Sequence, residues 1–184
     1  MSGVSDTVVI EPTGSNWFIR LAKTLSSISG VFSAVMILFA VIITCQMIFV
    51  RFVLNGSTIW QTEAVIYLMV AATLVGLPYV QRHRGHVNVD LIPLMLGPSI
   101  RRILAFVVLI ASIIVISIML FYGFEQWYVA FQKGWTTDTV WGVRLWIPYI
   151  SLPIGFGLFL LQLVADLVAV ITGYEKPFGL EDKS

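Results

Sequence analysis

Charged residues are what this 184-residue sequence has least of: 11% of its positions are Asp, Glu, Lys or Arg, against about 25% in an average soluble domain. So little charge leaves a globule poorly solvated, and the apolar fraction of 58% exceeds the usual range of roughly 45–50%. Lipid is the solvent that fits. Cysteine is almost missing. The single thiol, Cys45, lies in a continuous apolar run, which excludes a disulfide framework and a cysteine-based metal site. Histidine is nearly as scarce, with His83 and His86 three residues apart in one polar stretch. They cannot reach a haem from two facing helices. With Asp90 they have the spacing of a metal site, but a solvated basic loop is the reading adopted. No motif places a nucleophile beside them, so catalysis is not expected. Gly85 and Gly97 stand alone and form no phosphate-cradling loop. The net charge of +1 comes from basic residues that flank apolar runs, so there is no footprint for nucleic acid. No cofactor or metal is expected.

Long uncharged runs are what the sequence has in abundance. Lys23 and Arg51 enclose 27 residues without formal charge, Glu63 and Arg82 enclose 18, Arg102 and Glu125 enclose 22, and Arg144 and Asp166 enclose 21. A helix rises ~1.5 Å per residue and the hydrocarbon core is about 30 Å thick, so ~20 residues cross it. The second run needs one more turn, which Thr58 and Gln61 supply if they form a capping box. Lipid offers no partners to exposed backbone groups, so the spans must be helices. The reading is an all-α membrane protein of one domain, with four transmembrane helices at about 25–50, 58–81, 102–128 and 146–171. The first 24 residues hold no hydrophobic core for a signal peptide, and the apolar run after them has no small-residue cleavage site, so the first span is expected to be retained.

Orientation follows from the basic residues. With four spans, both termini and the middle loop share a side, and that side carries Arg20, Lys23, Arg82, Arg84, Arg101, Arg102, Lys176 and Lys183. The other side carries Arg51, Lys133 and Arg144. Cytoplasmic segments are enriched in Lys and Arg, which puts the termini in the cytoplasm. Trp60, Trp127, Trp135, Trp141, Trp146 and Tyr149 then form an aromatic belt at the outer interface.

Two short helices are expected to lie in the headgroup layer. In one, at 16–24, Trp17, Phe18, Leu21 and Leu25 share a face beside Arg20 and Lys23. In the other, at 90–97, Asp90 caps a turn that Gly97-Pro98 stops, and Ser99 caps the third span. Arg101 and Arg102 oppose that helix's dipole at roughly 0.3–1 kcal/mol each. Anionic lipid attracts them by about 1 kcal/mol each, which offsets it. Trp17, Arg20, Lys23, Arg101, Arg102 and Trp146 are therefore the candidate interfacial anchors.

Ionisable groups within spans are functional candidates. Glu63 opens the second span and Glu125 lies near the outer end of the third. Both are candidates for pairing inside the bundle, for interfacial anchoring or for contact with a partner. Asp166, near the inner end of the fourth, is close enough to reach the interface. Small residues recur every four positions at Ser26, Gly30 and Ala34, at Ala72 and Gly76, and at Ser151 and Gly155. Such spacing lets helices approach closely, within this bundle or against another protein. Pro78 and Pro153 are expected to bend their helices. Transporter-type inverted repeats with paired broken helices are not seen.

The ordered set Trp60-Gln61-Thr62-Glu63, Tyr67, Gly76, Arg82, His86-Val87-Asn88-Val89-Asp90 and Arg101 resembles the small membrane subunit of TRAP transporters, the DctQ type. Trp146-Ile147-Pro148-Tyr149, followed by Leu152-Pro153-Ile154-Gly155, is similar to that family's fourth span. The likeness runs from about Arg51 to Gly157. Many members carry two acidic residues where this chain has Thr62-Glu63, so a role needing a carboxylate pair is not available there. The resemblance implies a non-catalytic subunit, in the bacterial inner membrane, of a sodium-coupled uptake system for organic acids. Its implied partners are a large multi-span permease subunit, which this subunit would scaffold, and a periplasmic substrate-binding protein that docks transiently. Lys133, Asp138 and Arg144 on the longer outer loop are candidates for a polar rim to that docking. The competing reading is a free-standing four-span carrier coupled through Glu63 or Glu125. A carrier should hold its carboxylate deep in the bundle, and both glutamates lie near outer ends.

The orientation is checked by single cysteines at Ser5, Thr137 and Lys183 in a variant lacking Cys45. An impermeant thiol reagent applied to intact cells should label only the Thr137 position. Labelling of either terminal position from outside would reverse the topology.

Overall fold

The computed structural model describes residues 17–83 and 98–172, with side chains for all of these except 98, 99, 101 and 102. Helices α1 (Trp17–Phe52), α2 (Ile59–Arg82), α3 (Pro98–Lys133), α4 (Trp146–Tyr149) and α5 (Ser151–Ile171) account for nearly all of it. The one-turn α4 runs into α5, and Ile150 between them keeps helical dihedrals. Together they form the fourth of four helices long and apolar enough to cross a membrane.

The segment expected as a separate interfacial helix at 16–24 is instead the first part of α1. Nothing between Trp17 and Phe52 would break a helix, since the segment holds no proline and one glycine, Gly30. At ~1.5 Å per residue its 36 residues rise about 54 Å, well beyond a ~30 Å hydrocarbon core. Hydroxyls within the spans are satisfied by the preceding turn: Thr24 donates to the Arg20 carbonyl, Thr44 to Ala40, Thr73 to Met69 and Ser117 to Ile113. This back-bonding lets polar side chains enter lipid without leaving a donor exposed. The helix expected at 90–97 lies outside the described residues.

Two expected caps differ from what forms. Thr58 is the N-cap of α2 but makes no side-chain capping bond. Gln61 donates through Nε2 to Oε1 of Gln46 on α1 at 3.3 Å. The capping box therefore does not form, and its glutamine bridges two helices. At α3 the helix begins on Pro98 rather than after it. Proline suits a first helical position, where its missing N–H would have no partner anyway.

Residue pairs give the helix directions. Between α1 and α2 the hydrogen-bonded pairs are Ser26 with Pro78, Ser33 with Ala72 and Gln46 with Gln61. One number rises as the other falls, so the helices are antiparallel. Between α2 and α5, Leu74 faces Gly155 and Gln81 faces Asp166, so these two run parallel. Gly123 against Leu152 and Phe131 against Trp146 set α3 antiparallel to α4–α5. Helix α5 is the hub. It packs on α1, α2 and α3, whereas α3 packs mainly on α4 and α5.

The core is built from small side chains. Ala22, Ser26, Ser29, Ser33 and Ala40 on α1, Ala72 and Gly76 on α2, Ala105 and Ala130 on α3, and Ser151, Gly155, Ala165 and Ala169 on α5 are buried. On α1 the strict four-residue row fails at its third member: Ser33 is buried and Ala34 exposed. Four residues turn a helix by ~400°, so such a row drifts ~40° per step. The buried row alternates steps of four and three. The closest approach of a glycine to another helix's backbone is Gly155 on Leu74. A Cβ at position 155 would stand 2.7 Å from Leu74 Cβ and 2.8 Å from its carbonyl carbon and oxygen. Pro78, four residues on, has no N–H to donate to the Leu74 carbonyl, and α2 still continues through it to Arg82. Pro153 lies just past the α4–α5 junction, and with no N–H it leaves the Tyr149 carbonyl without a helical donor.

Gly155→Ala forces its Cβ onto backbone atoms of α2, so it should lower the stability of the purified protein by about 1–3 kcal/mol. Gly157→Ala is the control, because a Cβ there meets nothing nearer than Leu120 Cδ1 at 4.0 Å. Denaturation in detergent, followed by helical ellipticity, compares them. Equal midpoints would show that the α2–α5 contact yields without cost.

Candidate functional site

The polar side chains gather at the two ends of the bundle. At the end that holds the start of α1, Ser26 Oγ donates to the Pro78 carbonyl at 2.8 Å. Arg82 Nη1 donates to the Lys23 carbonyl at 2.8 Å and to Ser27 Oγ, which ties the end of α2 to the start of α1. Beside this, the Asp166 carboxylate on α5 accepts from Gln81 Nε2 at 3.2 Å and from Gln162 Nε2 at 2.7 Å. A carboxylate expected to reach the interface is instead held between α2 and α5 by two amides. The signal for this was the Gln162/Asp166 spacing of four, which puts both on one helical face. The partner from α2 had no such signal.

At the opposite end, the two glutamates that the sequence treats alike are in opposite situations. Both Glu63 oxygens are buried and accept no hydrogen bond from the described residues. Tyr67, one turn further along α2, lies within electrostatic reach of Glu63 and of Tyr149 on α4. Buried Gln61 keeps an unpartnered Oε1 although its Nε2 is bonded. Glu125, on α3, is exposed.

The link between α3 and α4 is an ordered hairpin rather than an irregular loop. Gly134, with φ of 61°, ends α3, and Trp135 N–H returns to the Ala130 carbonyl at 3.2 Å, which is a Schellman closure. Thr136 then pairs antiparallel with Arg144, and Leu145 N–H donates to the Trp135 carbonyl at 2.8 Å. Gly142, with φ of 59°, turns the chain near the tip, and Val140 there is 92% exposed. Trp141 meets Trp60 edge-on at 6.2 Å, so the hairpin leans on the start of α2.

Of the candidate packing residues, Ala72, Gly76, Ser151 and Gly155 are all buried inside this bundle. Ser33 Oγ donates to the Ala72 carbonyl at 2.7 Å, and Ser151 Oγ to the Pro148 carbonyl at 2.7 Å. Among the candidate anchors, Trp17 and Arg20 are exposed and Lys23 is half-buried. Trp146 stands edge-on to Phe131 at 5.7 Å. The side chains of Arg101 and Arg102 lie outside the described residues. Of the candidate rim, Lys133 Nζ stands 5.5 Å over the Trp135 ring, and Asp138 and Arg144 are exposed on the hairpin. His83 packs against Tyr79 at 4.4 Å. Among the described residues no three His, Cys, Asp or Glu converge in a way that could hold a metal.

Comparison with known proteins agrees with this architecture. The family model described as "Tripartite ATP-independent periplasmic transporters, DctQ component" matches residues 40–173. The chain is 24% identical over 180 residues to a C4-dicarboxylate TRAP transporter small permease protein from Vibrio cholerae serotype O1, with 86% of this chain and 77% of the relative covered.

The Asp166 and Glu63 carboxylates should answer differently to removal. Asp166→Ala strands the Gln81 and Gln162 amides, at about 1–3 kcal/mol for each buried donor left unsatisfied. Glu63→Met removes two oxygens that accept nothing from the described residues, so stability should be retained or raised. Denaturation midpoints in detergent test the pair, and a large loss in Glu63→Met would reveal a partner for that carboxylate.

Proposed function

This chain belongs to the DctQ component family of tripartite ATP-independent periplasmic transporters, and from that premise we propose that it is a stationary small permease subunit. In this reading it scaffolds the large membrane subunit of a sodium-coupled, binding-protein-dependent uptake system for organic acids. Membership makes it part of a transporter, not one of a family of enzymes, and its four apolar helices make it a multi-pass inner-membrane protein. Both termini face the cytoplasm in this proposal, and the hairpin at 134–145 faces the periplasm.

The observation that carries the scaffold role is the closed packing of α5. Its glycine rests on the α2 backbone, and a two-amide clamp on Asp166 joins the same helices at the inner end. A bundle joined by backbone contact has few ways to open, which suits a fixed support against which another subunit moves. The long rise of α1 and the aromatic pairs at the outer end resist displacement along the membrane normal. The relative from Vibrio cholerae is named for C4-dicarboxylates, so a small dianionic acid is the proposed substrate class. Its recognition falls to the binding protein and the large subunit. Lys133, Asp138 and Arg144 contribute a minor polar rim where the binding protein docks.

Co-expressed with the large permease subunit, this chain should copurify in detergent as an equimolar complex. Reconstituted alone, it should move no organic acid under a sodium gradient. Uptake by the isolated chain would establish the carrier reading instead.

A further inference from the structure

We propose that the outward face of α3, centred on Glu125 and flanked by Phe121, Tyr122 and Tyr128, is the surface that docks on the large permease subunit, which meets Glu125 with a basic side chain. The proposal rests on the subunit reading above and adds to it the face and the chemistry of the contact.

Helix α3 is the least enclosed of the four spans. Of the most apolar stretch of each span, 6% of α3 is buried within the bundle, against 17% of α1, 22% of α2 and 28% of α4–α5. Its inner side is narrow: Gly123 and Ala130 are buried, and Gly123 lies against Leu152 of α5. At ~100° per residue, Glu125 projects roughly opposite these two positions. Positions three and four away from Glu125 share its face. Phe121, Tyr122 and Tyr128 occupy three of these and are 66%, 62% and 46% exposed.

Exposed apolar side chains alone would suit lipid, and the outer side of α1, with Val31, Phe32, Val35 and Leu38 exposed, has that character. Glu125 sets α3 apart. It lies eight residues before Lys133, about 12 Å down the helix. Trp127 and Tyr128 beside it suit the edge of the acyl layer, and a carboxylate that faces that layer finds no donor in acyl chains. The chain's own nearest cation on this helix, Lys133, is placed over the Trp135 ring. Gln132 spends its amide on the Tyr128 hydroxyl at 2.7 Å. Glu125 makes no hydrogen bond or ion pair with the described residues. Phosphate headgroups carry its own sign of charge. An Arg or Lys from a neighbouring span, with aromatic rings around it to exclude lipid and water, satisfies the carboxylate. A charge pair desolvated in this way is strong when complete and costly when broken.

The test uses both membrane subunits, co-expressed. A benzophenone amino acid placed at Tyr122 should photocross-link this chain to the large subunit, identified by mass, whereas the same probe at Leu38 of α1 should not. Glu125→Arg should lower the copurified large subunit about tenfold or more, and Glu125→Gln by about threefold, as loss of a desolvated charge pair implies. Helical ellipticity and elution volume of each variant alone should match the parent, since Glu125 bonds to nothing within the described bundle. If the charge reversal fails to fold, Glu125→Gln and the cross-link still decide. Normal copurification with cross-links from Leu38 only, or with Tyr122 linking only to lipid or to a second copy of this chain, would overturn this surface and leave the subunit reading standing. Failure of the parent chain to copurify at all would remove both.

Discussion

Everything in this bundle depends on one close approach, Gly155 of α5 against the Leu74 backbone of α2. Burying leucine against leucine gains little in a membrane, because acyl chains are as apolar as the side chains they would replace. Helices hold together there by dispersion at short range and by hydrogen bonds between them. Both require the backbones to come near. A glycine provides the approach, and it occurs where Pro78 leaves the Leu74 carbonyl without its own helical donor. A proline that would weaken a soluble helix is placed where a second helix covers the consequence.

The same logic explains which side chains are inside. Alanine, serine and glycine line much of the seams, with Leu163, Gln61 and Gln162 buried among them, and most large apolar residues face outward. This is the reverse of a soluble core. Several polar groups are paired across helices: Ser26 and Ser33 of α1 to α2 carbonyls, Gln61 of α2 to Gln46 of α1, and Asp166 of α5 to Gln81 of α2. Such bonds are modest individually, averaging about 0.6 kcal/mol in membrane bundles. They set the rotation of each helix about its axis, which apolar packing alone leaves loose.

A rigid hub with one lightly held arm follows from this arrangement. Helix α2 is hydrogen-bonded to α1 at several levels and to α5 through Gln81 and Asp166, whereas α3 meets the rest along a narrow strip of small residues. Its remaining surface is large, aromatic toward the α4 end, and carries a carboxylate with no partner among the described residues. That asymmetry favours a subunit built to be completed by another protein over one that works alone.

The number of spans, their helical nature and the membrane environment were legible in the sequence, because uncharged runs of about 20 residues have one solution in lipid. The small-residue pairs Ala72/Gly76 and Ser151/Gly155 were legible too, since close approach needs small side chains wherever it occurs. Which partner each would meet was not, because a seam inside the bundle and a seam toward another protein use the same residues. Likewise Gln61 fits a capping box by spacing, and only the position of α1 shows that Gln46 takes its amide. The continuity of α1 could have been inferred from the lack of any breaker after Trp17, although amphipathic patterning suggested a separate ramp. The row 26, 30, 34 was misleading because helical drift accumulates, and the true seam through Ser33 appears only when α2 is in place. Glu63 and Glu125 are the sharpest case. Both lie near outer ends in the sequence, and only the packing of the helices leaves one with buried oxygens that have no partner among the described residues and the other exposed. Local composition dictates that a segment crosses the membrane. Which of its faces is covered is a property of the neighbours, and those are decided by the three-dimensional arrangement.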